Sequence, residues 1–82
     1  MITKTILLNS ITKVKNFVNT VEPFEGHIDA VAGRYTVDAK SILGLFSIDL
    51  ADPFELQIDV ENPEDFTIDL SEFEYVEPEP EG

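Results

Sequence analysis

Cysteine and tryptophan are absent from the 82 residues, and His27 is the sole histidine. Without thiols, neither a disulfide framework nor a thiolate metal site is available. A single imidazole leaves little material for histidine-based catalysis or metal ligation. No apolar run approaches the roughly 20 residues that a membrane-spanning helix needs. The N-terminus also lacks the charged, apolar and small-residue succession of a secretion signal. A soluble, cytoplasmic protein is therefore expected.

Bases are missing from a whole section of the chain. All five, Lys4, Lys13, Lys15, Arg34 and Lys40, fall within residues 1–48, where four acids leave a net charge of +1. Residues 49–82 carry thirteen acids and no base, so the chain as a whole stands at −12. Such a molecule repels nucleic-acid backbones and anionic membrane surfaces, and neither is an expected partner. The simplest use of the charge is a solvated acidic face; a basic protein partner is the functional alternative. Asp49, Asp52, Glu55, Asp59 and Glu61 lack the dense spacing and glycine of a calcium loop, so no metal is expected. No phosphate-cradling glycine loop, nucleophile–base pair or basic aromatic platform is present, and no cofactor is implied.

What remains is enough for a core. Hydrophobic residues make up 43% of the chain, which argues for one small folded domain rather than disorder. Residues 2–8 read as a strand with Ile2, Ile6 and Leu8 on one face. Asn9 and Ser10 end it and cap a helix, whose apolar stripe is Ile11, Val14, Phe17, Val18 and Val21. Pro23 and Gly26 close that helix and the loop after it. Residues 27–32 alternate as a strand, and Gly33-Arg34 turns into a second strand at Tyr35-Thr36-Val37, although the strongest two-residue hairpin signal is lacking. Ser41 then caps a short helix carrying Ile42, Leu45 and Phe46 at helical spacing, which fades near Ser47.

Residues 54–60 form the clearest strand, with four apolar residues alternating with three polar ones. Asn62-Pro63-Glu64-Asp65 has the cap, first-position proline and acids of a helix start. Beyond it the periodicity is double. Phe66, Ile68 and Leu70 alternate as in a strand, whereas Phe66, Leu70 and Phe73 suit a helix. Residues 76–82, rich in proline and glutamate, are expected to form an extended, disordered tail.

One eight-residue run is more specific than any of these patterns. The run Asp38-Ala39-Lys40-Ser41-Ile42-Leu43-Gly44-Leu45 resembles the regulatory-serine segment of HPr, the small phosphocarrier of the bacterial sugar phosphotransferase system. Loosely extended, the resemblance covers about residues 1–75. It implies an α+β, open-faced βαββαβα sandwich with a four-stranded antiparallel sheet and helices on one face, so residues 66–75 are expected to be helical. It also implies that Ser41 is a site for an ATP-dependent serine kinase. Ile42, Leu43 and Phe46 match apolar positions used for partner docking, while Leu45 should point into the core.

The resemblance breaks where the family carries its phosphorylated histidine. The family motif there runs Gly-Leu-His-x-Arg-Pro-Ala. This chain has Asn9-Ser10-Ile11-Thr12-Lys13-Val14 instead, with Ser10 at the histidine's place and Thr12 at the arginine's. A hydroxyl does not form the labile phosphoimidazole on which relay depends. Three readings follow: a non-enzymatic regulatory or docking domain of the phosphotransferase system, a carrier using His27, and an acidic assembly module that binds a basic protein or itself. The unmodified roles of Ser10 and Ser41 are helix caps, and a small domain is also capable of burying Ile42, Leu43 and Phe46.

Overall fold

The structure, a computed structural model, describes residues 1–76. The expected tail therefore lies outside the described residues, apart from Val76. Strand β1 spans Ile2–Ile6, helix α1 Ile11–Val21, strands β2 Ile28–Ala32 and β3 Tyr35–Asp38, helix α2 Ile42–Phe46 and strand β4 Phe54–Ile58. The four strands form one antiparallel sheet in the order β1-β4-β2-β3, so the last strand in sequence lies inside it. That position suits β4, since its alternation buries Phe54, Leu56 and Ile58 beneath the helices.

Register divides the sheet into two chemically different faces. Ile58 stands between Ile2 and Ile28, and Leu56 between Lys4 and Ala30. These rows lie on the covered side. The opposite side carries Thr3–Gln57–Asp29–Asp38 and Thr5–Glu55–Val31–Thr36. Polar side chains at alternate positions leave that side open to water, as expected of an antiparallel sheet covered on one face. The core gathers Val14, Phe17 and Val21 from α1 and Leu45 from α2 over Ile6, Ile28, Leu56 and Ile58. The β2–β3 hairpin is a two-residue turn with Gly33 at φ 60°, a conformation that glycine adopts without steric cost.

The last stretch corrects the expected helix. A single 3-10 turn at Pro63–Asp65 takes up the helix-start signal and goes no further. Residues 66–70 are then extended, with Leu70 buried, Phe66 and Ile68 half-buried, and Thr67 and Asp69 in solvent. The alternation, rather than the helical spacing, describes which side chains turn inward. Phe66 meets Phe24 edge-on at 5.3 Å, and Phe73 meets Phe17 at the same distance and at 90°. Beyond a turn, Leu7 N–H donates to the Phe73 carbonyl at 3.0 Å and Tyr75 N–H to the Thr5 carbonyl at 2.9 Å. Glu74 pairs with Ile6, and its carboxylate reaches Lys4 Nζ at 2.8 Å. The segment thus fills a helix's share of the core and satisfies part of the outer edge of β1.

Candidate functional site

Asp38 ends β3, and its carbonyl accepts the Ser41 N–H at 3.0 Å. Its carboxylate accepts the Lys40 N–H at 2.9 Å, a local turn that aspartate commonly makes. Ser41 is extended, at φ −96° and ψ 113°, and its Oγ accepts the Gly44 N–H at 3.2 Å. The serine is half-buried, with its hydroxyl engaged as a helix cap. α2 lies close over β3; a Cβ on Gly44 would come within 3.3 Å of Val37 Cβ.

From that anchored turn the apolar side chains diverge. Leu45 is fully buried, Leu43 is 79% exposed and Phe46 44% exposed. Ile42 is half-buried against the core and looks into a groove of about 590 Å³ shared with Lys15, Val18 and Lys40. Lys40 itself turns back, donating Nζ to the Phe24 carbonyl and standing 5.7 Å from the centroid of the Phe24 ring.

The start of α1 is built the same way. Ser10 is extended, and its Oγ accepts the Lys13 N–H at 3.1 Å while its carbonyl accepts the Val14 N–H at 3.1 Å. Ile11 belongs to the apolar stripe by spacing, yet it is 64% exposed. It is the first helical residue, on a turn that overhangs the core. Leu8, Ser10, Ile11, Phe46, Leu50 and Ala51 line a shallow depression of about 430 Å³. Sequence spacing placed Ile11 in the interior, and only its position at the helix end signalled otherwise.

The structure therefore brings Ser10, Ile11 and Phe46 together. Ile42 faces the neighbouring groove, Leu43 stands in solvent, and Ser41 lines neither hollow. His27 lies elsewhere. Ile28 is level with Ile2 through Ile58, whereas α1 starts after Ile6, about 13 Å along β1. The exposed imidazole pairs instead with Asp29, Nε2 to Oδ1 at 2.9 Å. Among the described residues, no three histidine or carboxylate groups stand together as a metal site. The Asp69 carboxyl is held below its ordinary value, chiefly by the Ser71 backbone N–H and then by the Ser71 hydroxyl; it lines neither hollow.

No family model matches the sequence, and no curated protein matches it. Solved structures do match. Among them is the crystal structure of HPr-C-His from Thermoanaerobacter tengcongensis, at 24% identity and a TM-score of 0.65, covering 79% of this chain and 81% of that one. The chain has an HPr-like fold: a four-stranded antiparallel sheet with two helices over one face. No helix among the described residues is long and apolar enough to cross a membrane.

Proposed function

We propose that this chain is a non-enzymatic, HPr-like regulatory or docking domain that has given up histidine phosphotransfer and binds partner proteins through the face holding Ile11, Ile42, Leu43 and Phe46. The observation that carries the reading is the depression at the start of α1. Where the resemblance calls for an imidazole, Ser10 caps the helix, and exposed Ile11 and Phe46 flank it. An apolar face beside a capped helix start is suited to contact rather than to phosphoryl relay.

Ser41 is the proposed switch, and a serine kinase or a regulator of the phosphotransferase system is the proposed partner class. A kinase would move the γ-phosphoryl group of ATP to Ser41 Oγ, releasing ADP as the hydroxyl proton passes to the kinase's base. The phosphate adds about −1.5 to −2 charges at the start of α2, between Ile42 and Lys40. His27 finds no support as a substitute carrier, because it sits at the far end of the sheet from the start of α1.

Two measurements test the proposal. Incubation with an HPr-type serine kinase and ATP, followed by mass spectrometry, is expected to place one phosphate on Ser41; an unmodified Ser41 removes the switch. Exposure to the phosphoenolpyruvate-driven phosphotransfer proteins is expected to leave no acid-labile phosphate. Such a phosphate on His27 would overturn the proposal.

A further inference from the structure

A third hollow lies across the α2–β4 loop from the apolar depression. Leu50 and Ala51 of that loop line the depression, whereas Ser47, Ile48, Asp49, Asp52 and Pro53 turn to a cleft of about 300 Å³ against the β2–β3 hairpin. Ala32, Gly33 and Tyr35 form its other wall. Tyr35 lies two residues from Val37 on the same face of β3, but α2 covers Val37 and stops short of Tyr35. The result is a large aromatic side chain left 69% exposed beside two carboxylates. No basic side chain of the chain lines the cleft, not even Arg34 in the adjoining turn.

We infer that this cleft receives an arginine side chain from a protein partner. A guanidinium is planar, so it stacks on the tyrosine face while its N–H fork reaches a carboxylate. An ammonium offers a point charge without that fork. Asp52 and Asp49 supply the negative charge, and part of Asp49 is already committed, since its Oδ1 accepts the Ala51 N–H at 3.0 Å. Asp52 is therefore the principal acceptor. Because the cleft and the apolar depression share one loop, a partner seated on Phe46 and Ile11 is positioned to insert the arginine. The cleft's own chemistry does not depend on that docking or on Ser41.

The test is a ¹⁵N chemical-shift titration of the full chain with acetyl-Gly-Arg-Gly-amide, and with its citrulline counterpart, which keeps the shape and loses the charge. Saturable shifts at Tyr35, Ser47, Asp49 and Asp52 are expected with the arginine peptide and absent with citrulline. Tyr35→Leu should weaken binding about fivefold, the size of one exposed cation–π contact. Asp52→Asn should weaken it about two- to fivefold, and Asp29→Asn, on the open sheet face, should leave it unchanged. Shifts spread equally over Asp29 and Glu55, or binding indifferent to Tyr35→Leu and Asp52→Asn, would overturn the inference as general attraction to an acidic protein. Leu43→Ser with Phe46→Ser should leave the peptide bound, so failure of the docking face and failure of the cleft read out separately.

Discussion

Ser10 and Ser41 do the same local work at the starts of the two helices. Each accepts an N–H three residues on, at 3.1 and 3.2 Å respectively, and replacement by alanine should cost about 1 kcal/mol in either case. Urea unfolding measures that loss. Ser41→Asp should stay within a few tenths of the unsubstituted chain, because aspartate caps as well as serine. Any docking that Ser41→Asp weakens and Ser41→Ala spares would then report charge rather than folding. Asp69 offers a residue-scale pH prediction. Its folded-state carboxyl lies below the unfolded value, so its contribution is present above about pH 4 and is lost as pH falls through the lower folded value. A carbon-detected titration should give Asp69 a midpoint below 3.8, and Ser71→Ala should return it part of the way, since the stronger backbone hydrogen bond remains.

Among the elements, legibility followed how far local chemistry and tertiary packing agree. Phe54–Ile58 alternates over its whole length, and α1 repeats its apolar residues over three turns, so both could be read before any neighbour was known. The serine caps, too, are local hydrogen bonds. Residues 66–75 are different: Phe66 and Leu70 satisfy both periods, and the helix-start signal at Asn62-Pro63 is opposed by Phe, Thr, Ile and Asp, which are mediocre helix formers. Tertiary demand decides. The outer edge of β1 needs partners at Thr5 and Leu7, and Phe17 needs a ring against it, and an extended segment meets both. Candidate site residues were legible where they sit on local structure, as Ser10 and Ser41 do. Exposed Ile11 and the Tyr35 cleft were not, because the first depends on where α1 begins relative to the core and the second on where α2 stops. Phe73 is the test of this segment. It is 2% exposed and packed on Phe17, so Phe73→Ala should cost about 3–5 kcal/mol, read as a lower urea midpoint. A loss below about 1 kcal/mol would mean that the segment merely rests on the surface.

At the scale of the whole molecule, seventeen acids face five bases, and the described residues hold one lysine–carboxylate ion pair, Lys4–Glu74, and a His27–Asp29 pair that is ionic only when the imidazole is protonated. Repulsion should therefore outweigh attraction. Raising NaCl from low ionic strength to about 0.5 M, where the screening length falls to a few ångströms, is expected to raise the melting temperature. A fall would mean that the pairs dominate. The open sheet face gives this a local origin. Asp29 and Asp38 are direct cross-strand partners, an arrangement worth about 0.2–1 kcal/mol of destabilisation when both are charged. Asp38→Asn keeps the side-chain oxygen that accepts the Lys40 N–H, so the turn into Ser41 survives while the repulsion goes. The substitution should stabilise the domain at low salt, and the gain should vanish in about 0.5 M NaCl. If instead it destabilises at both salt concentrations, the Asp38 charge serves the turn more than it strains the sheet, and the acidic face is not where the molecule's electrostatic stress lies.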